Sequence, residues 1–390
     1  MLLFFFAALL LQASPLHAAP DSTDAFLKRH LTQPMQPQGK TPKAFSALES
    51  SLEPSACGAC HTRQYQDWRT SLHGHAMGSG VMGQLLDIKP DAIGELRTCT
   101  VCHAPLAEQE TSLRKQLRGA KQNSALHEQG LGCAACHVRR HVRYGPPPTS
   151  PSAGEKPPHN GFVSSPAFED GRFCATCHQF GEDGYALNGK PLENTHAEWQ
   201  ASPYARQGLH CQGCHMPERQ HLWRGIHDAE MTRSGVTIKP TEPVLLDGKL
   251  SAQLALSNTG TGHYFPTYVT PRVIVQIYQE SADMKPIGGT LQEKIIARQV
   301  SADFSAELAD TRLEPGGKFI LDYLSPLHPD AQTVVMRVRV EPDYFYSGLY
   351  RSLLATQPNN KGIPLIRTAL KNSLESAYDL YRLTFPLGKR

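Results

Sequence analysis

Residues 211–215 read Cys-Gln-Gly-Cys-His, and the same pattern occurs four more times: Cys57-Gly-Ala-Cys60-His61, Cys99-Thr-Val-Cys102-His103, Cys133-Ala-Ala-Cys136-His137 and Cys174-Ala-Thr-Cys177-His178. All ten cysteines of the 390-residue chain lie in these five units. Two intervening residues let both thiols reach the vinyl groups at one edge of a porphyrin. The next residue, His, then lies under the ring and binds the iron. The unit is the attachment pattern of c-type haem. It predicts five covalently attached c-type haems, held by Cys57, Cys60, Cys99, Cys102, Cys133, Cys136, Cys174, Cys177, Cys211 and Cys214. The proximal iron ligands are then His61, His103, His137, His178 and His215.

Other uses of paired cysteines explain less. A disulfide framework suits an exported chain but does not require His after every pair. Structural zinc sites are built from two such pairs, and five is an odd number of half-sites. A thioredoxin-like redox pair accounts for one unit at most. His fills roughly one position in twenty here, so five chance matches would arise about once in several million. From Cys57 to His215 there are 159 residues, about 32 per haem. That is too few for an ordinary apolar core beside each porphyrin. Short helices and loops wrapped on haems are expected there, with little sheet.

The formal charge of +3 gives no reason to expect nucleic acid, and no basic run with interleaved aromatics occurs. The haem propionates would take the holoprotein to roughly −7 before pairing with Arg or Lys. Leu2 to Leu11 is apolar, and Pro15-Leu-His-Ala-Ala19 supplies small residues near a cleavage point. Residues 1–19 are therefore expected to be a signal peptide, although no Lys or Arg follows Met1. This implies a periplasmic or extracellular protein. No later segment is apolar enough to span a bilayer, which leaves peripheral membrane contact open.

Residues 20–50 are polar and proline-bearing and are expected to form an N-terminal arm, with His30 at the surface. The haem region is expected over 51–235, with a polyproline-like loop from Tyr144 to Pro158. Tyr65-Gln-Asp-Trp68-Arg-Thr-Ser71-Leu-His73 and Ala197-Glu-Trp199-Gln-Ala-Ser202-Pro-Tyr204 form a weak internal repeat, with Tyr204 where the first copy has His73. Over 236–390 cysteine vanishes and alternation begins, in Leu250/Ala252/Leu254/Leu256, Val273/Val275/Ile277 and Val334/Met336/Val338/Val340. Turn signals at Asn258-Thr-Gly260, Gly288-Gly289 and Pro315-Gly-Gly317 separate these runs. The expected fold is α+β in two domains: a helical and loop-rich pentahaem domain, then an antiparallel β-sandwich. Leu365 to Leu380 has helical spacing and is expected to cover a sheet edge, with Tyr381 to Pro386 a last strand.

Several runs resemble the cytochrome c-552/c-554-like multihaem family. They are Tyr65-x-x-Trp68-x-x-Ser71-x-His73, Phe173 to Phe180, Glu198-Trp199-x-x-Ser202, Cys211 to Pro217 and His221-x-Trp223-x-Gly225-Ile-His227-Asp228. Asn258 to Thr267 looks like the Gly-His-x-x-Pro-Thr loop of the domains that accompany such haem modules. No unit is Cys-x-x-Cys-Lys, as the related nitrite reductases would have. The resemblance therefore implies an electron carrier rather than those enzymes. Together with local context it selects His73, His159, His221, His227 and His263 as sixth ligands. His75 competes with His73; His127, His141, His196 and His210 are reserves. Bis-His ligation favours low potentials. The expected function is electron transfer, with redox proteins as partners (other cytochromes or a quinol-oxidising membrane protein). The alternative is a reductase acting on a small nitrogen or sulfur oxyanion at one haem with a weak sixth site. Protein matured in a competent host and extracted with acid-acetone will retain five haems by intact mass; four or fewer contradicts the reading.

Overall fold

The computed structural model describes residues 23–149 and 158–388. The expected leader, 1–19, lies outside the described residues. Each attachment unit sits in or against a short helix: Pro54–Gly58, Ile93–His103, Cys133–His137, Arg172–His178 and Cys211–His215. A helix is the backbone the unit needs, because positions i, i+3 and i+4 share one face. The first unit runs past its helix end, yet the amides of Cys60 and His61 still donate to the Cys57 carbonyl, at 3.2 and 2.9 Å.

Small apolar clusters buttress these helices from outside. Met77, Met82, Leu85, Leu96, Ala104 and Leu113 form one. Leu31, Met35, Leu106, Ala134, Ala135 and Val138 form another. The second cluster seats the start of the N-terminal arm through Leu31 and Met35. A helix at Thr23–His30 buries Phe26 and His30. His30 is not at the surface: its ring stacks on Phe26, with centroids 4.7 Å apart, and Nε2 donates to the Cys136 carbonyl at 2.6 Å. Phe26 and His30 are four apart, so one helix face carries both inward.

Eight strands make the two main sheets of the second region: β1 Val236–Pro240, β2 Val244–Leu246, β3 Lys249–Asn258, β4 Arg272–Glu280, β5 Gln292–Ile296, β6 Lys318–Pro326, β7 Thr333–Glu341 and β8 Tyr378–Pro386; Arg298–Val300 and Glu307–Asp310 pair as a separate two-stranded sheet. One sheet has the order β5-β4-β7-β8; the other is β6-β3-β1, with β2 also on β3. Pairing is antiparallel, with Val275 opposite Val338 and Leu254 opposite Leu321. The alternating residues predicted to face inward do so. Leu254, Leu256, Val273, Val275, Ile277, Val334, Met336, Val338 and Val340 are fully buried in one core. Gly289 and Gly316 have φ of +77° and +85°, which suits the turn residues read from sequence.

The C-terminal helix spans Ile363–Glu375 and is followed directly by β8, so strand replaces the end of the predicted helix. The helix also packs elsewhere than expected. It lies on the Ser79–Leu85 helix of the haem region, not on a sheet edge. Two glycines make the approach: a Cβ on Gly362 would sit 1.7 Å from the Gly83 carbonyl oxygen, and Ile366 lies over Gly83. A further helix, Tyr344–Thr356, was not anticipated.

Two buried arginines tie the regions together. Arg298 pairs with Glu307 at 2.8 Å and donates to the carbonyls of Pro191, Leu187 and Lys190. Arg312 pairs with Glu198 at 2.8 Å, both side chains being almost fully buried. No helix among the described residues is long and apolar enough to cross a membrane. Ile366→Ala will remove the contact on Gly83 and cost about 2–5 kcal/mol of stability, read by thermal or denaturant unfolding.

Candidate functional site

One cavity of about 3040 Å³ is lined by cysteines of all five units and by all five following histidines. An ordinary small-molecule pocket measures roughly 300–1,000 Å³. The lining is a donor set for haem iron and a run of thiols, which tests whether the chain fits such cofactors.

Three of the five histidines are set in one repeated way. Nδ1 of His103 lies 2.6 Å from the Ala76 carbonyl, that of His137 is 2.7 Å from Tyr144, and that of His215 is 2.7 Å from Arg224. A carbonyl oxygen can only accept, so Nδ1 carries the proton and Nε2 keeps its lone pair. Metal-bound imidazoles are oriented in this manner. His178 Nδ1 bonds the Tyr268 hydroxyl instead. Burial lowers the pKa of His137 and His178 to about 4, which leaves both neutral, as a metal ligand must be.

A second set of histidines faces the first. His221 and His137 have ring centroids 6.1 Å apart, His73 and His178 6.2 Å, and His263 and His215 6.3 Å. Two imidazole nitrogens about 2 Å from one metal ion hold their rings about 6 Å apart, so the three pairs are spaced for a shared iron. Nδ1 of His221 and His263 again meets a carbonyl, Arg219 at 3.0 Å and Tyr264 at 2.9 Å. His159 Nδ1 meets the Gly161 carbonyl at 2.8 Å, and His159 shares the cavity wall with His61. His227 is different: its Nε2 lies 3.1 Å from Asp343 Oδ1, so that nitrogen carries the proton. His75, His196 and His210 also line the cavity, whereas His127 and His141 do not. His127 Nδ1 is bonded to Ser112 and His141 Nε2 to the Gly39 carbonyl, as packing residues.

The loop that carries His263 is built from the sandwich. Asn258, fully buried at the end of β3, donates to the carbonyls of His263 and Leu313 and accepts from the Thr261 amide. Glu198, already paired with Arg312, accepts from the Tyr264 amide at 3.1 Å. Gly262 lets the loop lie on Trp199 and Tyr204; a Cβ there would be 3.1 Å from the indole. Burial lowers the His263 pKa to about 4. Tyr204 reaches past the site, its hydroxyl donating to Thr259.

The weak repeat has a structural meaning the sequence did not disclose. Trp68 Nε1 donates to the Leu131 carbonyl at 2.9 Å, and Trp199 Nε1 to Leu209 at 2.9 Å. Each acceptor stands two residues before the first cysteine of a unit, Cys133 or Cys211. The two serines also match: Ser71 Oγ accepts from Gly74 and Ser202 Oγ from Ala205. Each copy pins the entry of an attachment helix.

Thiols of different units meet in pairs: Cys57 with Cys133, Cys102 with Cys177, and Cys174 with Cys211. Three disulfides drawn there would leave Cys60, Cys99, Cys136 and Cys214 unused, and would not account for the paired imidazoles. Sequence reading missed Tyr268, Asp343 and Tyr346, all in the cavity wall. None lies in a motif; each reaches the wall through tertiary packing.

A family model described as cytochrome c554 and c-prime matches residues 56–138. No curated protein matches the chain. Among solved structures, a penta-heme cytochrome c552 from Thermochromatium tepidum is similar: TM-score 0.62, 17% identity, covering 88% of this chain and 100% of that one. Trp68→Phe will leave the Leu131 carbonyl unpaired and cost about 1–3 kcal/mol in chemical unfolding; Trp199→Phe will do the same at Leu209. Residues 56–138 are thus similar to the cytochrome c554 and c-prime family, within a fold that a penta-heme cytochrome c552 shares.

Proposed function

We propose that this protein is an exported pentahaem c-type cytochrome that transfers electrons between redox proteins. The observation that carries the reading is the set of three imidazole pairs at 6.1–6.3 Å, each joining the His of an attachment unit to a second His. The haems supply one-electron chemistry; the chain holds and spaces them. On this reading Cys57/Cys60, Cys99/Cys102, Cys133/Cys136, Cys174/Cys177 and Cys211/Cys214 form the thioether links. His137 pairs with His221, His178 with His73 and His215 with His263; His159, which lines the same cavity as His61, is the candidate for a fourth pair.

The thiol contacts supply an order. Cys57 adjoins Cys133, Cys174 adjoins Cys211, and Cys177 adjoins Cys102; Cys136 lies within electrostatic reach of Cys174 and Cys177. The units are thereby strung in the order first, third, fourth, second, with the fifth beside the fourth. Such a string has ends, which suits a carrier that accepts at one surface and donates at another. Export rests on the apolar run and small residues of 1–19, and a periplasmic or extracellular site follows from it.

His263→Ala removes one ligand supplied by the sandwich. One haem will change spin state or potential in the variant, and the other four will keep theirs. If spectroelectrochemistry finds all five unchanged, His263 is not a ligand and the axial-pair reading fails there.

A further inference from the structure

A basic surface lies beside the first attachment unit, which stands at one end of the string. The chain leaves the Cys133–His137 helix into a short antiparallel pair, Val138–Arg139 with Val142–Gly145. Arg140 and His141 make its turn, with φ of +49° and +62°. The segment after the N-terminal helix runs along this hairpin. Gln38 Nε2 donates to the Val138 carbonyl at 3.3 Å, and the His141 amide donates to Gln38 Oε1 at 3.3 Å. The Arg143 guanidinium lies 5.6 Å from the centre of the Phe45 ring and donates to the Glu49 carbonyl. The hairpin is close to two units at once. Arg143 lines the cavity with Cys57, Cys60 and Cys133, and an added Cβ on Gly132 would come within 3.1 Å of the Pro54 ring.

This arrangement gathers cations. Residues 38–49 and 138–145 hold Lys40, Lys43, Arg139, Arg140 and Arg143 against one carboxylate, Glu49. Lys40, Lys43 and Arg140 are exposed and form no ion pair among the described residues. Glu49 is turned elsewhere, accepting from the amides of Ser46 at 2.9 Å and His159 at 2.7 Å. On a holoprotein whose haem propionates bring the net charge to roughly −7, unpaired cations standing together set this face apart. Val142 and Val163 add an apolar part to it; they lie on adjacent strands and are 40% and 48% exposed. A small apolar area with charges of one sign around it suits a transient partner of the opposite sign. A bilayer suits it less. The Thr23–His30 helix turns Phe26 inward, so the face lacks the amphipathic helix that seats a protein in lipid, and lipid delivers no electrons.

We infer that this face, with Lys40, Lys43 and Arg140 beside Val142 and Val163, is the docking surface for an acidic one-electron redox protein, and that the haem of the first unit is the one that exchanges electrons with it. The inference rests on the haem reading above and gives the string its outer end. One electron passes in each encounter: the partner loses it, one haem iron gains it, and no bond or proton moves. The cations raise the rate of encounter and orient the partner.

The test is stopped-flow oxidation of flavodoxin hydroquinone, an acidic one-electron protein, by the oxidised full-length holoprotein at low and high ionic strength. Lys40→Glu/Lys43→Glu/Arg140→Glu will slow the second-order rate about tenfold at low salt and little at high salt, because salt screens the attraction. Lys239→Glu/Lys249→Glu/Lys318→Glu changes the net charge equally on the outer face of the β6-β3-β1 sheet and will keep the wild-type rate. The neutral variant Lys40→Gln/Lys43→Gln/Arg140→Gln, a gentler change to the fold, will fall between wild type and reversal. A reversal variant as fast as wild type overturns the proposal, and if that variant has lost binding to phosphatidylglycerol vesicles, the face is a lipid contact instead. Equal slowing by the sandwich variant overturns it too, because overall charge then sets the rate. A wild-type holoprotein that dithionite reduces and flavodoxin does not also overturns it, and leaves electron transfer standing. One that dithionite leaves oxidised removes the haem reading itself.

Discussion

The constraint on which the structure depends is a small one: an imidazole whose Nδ1 is held by a carbonyl must turn Nε2 the other way. His103, His137, His159, His215, His221 and His263 all obey it, on Ala76, Tyr144, Gly161, Arg224, Arg219 and Tyr264. Each anchor fixes both the tautomer and the ring direction. The backbone must then bring six carbonyls to set places, and much of the loop geometry follows from that. His159 itself adopts φ +44°, and the residue after His221-Leu222, Trp223, adopts φ +42°. Such left-handed conformations are uncommon away from glycine. They are the bends that return a short loop to the ring it must hold.

Packing at the level of whole elements serves the same end. Among the described residues, the one apolar core of ordinary size lies between the two sheets. Elsewhere the buried apolar clusters are small: two sit behind attachment helices and a third lies between the helices Tyr344–Thr356 and Ile363–Glu375. Stability in that region therefore leans on single directed contacts: two indoles on Leu131 and Leu209, and buried arginines on Glu307 and Glu198. The Arg312–Glu198 pair is nearly dry, so removing either partner would strand a charge. It also joins the Trp199 helix to the strand region that precedes β6, and so fixes the distance between the fifth attachment unit and the loop that faces it.

Much of this was legible in the sequence because it is local. Five short units name their chemistry by spacing alone, and the sandwich announces its inward faces by alternation at Leu250 to Leu256 and Val334 to Val340. What stayed hidden is what depends on the meeting of distant residues. The N-terminal segment is polar on average, yet Phe26, Leu31 and Met35 are buried and tie it to the haem region. The helix at Ile363–Glu375 has the right period, but period cannot say which surface it covers; Gly83 and Gly362 decide that by allowing backbone to touch backbone. The repeat around Trp68 and Trp199 was visible as a pattern, and its purpose was not, because the acceptors lie 63 and 10 residues away. His227 illustrates the limit: its motif suggests a ligand, and a carboxylate 116 residues downstream claims its nitrogen.

The placement of His263 bears on how the molecule is made. Synthesis runs from the N-terminus, so the Cys211 unit emerges well before Thr261, Gly262 and His263. Those residues in turn need Asn258, Leu313 and Arg312 to hold them in place. The last part of the haem region therefore waits for a hundred residues of later chain to be threaded and folded against it. Until the sandwich has closed, the wall that Thr261, Gly262 and His263 give the cavity is missing, and that face stands open to water.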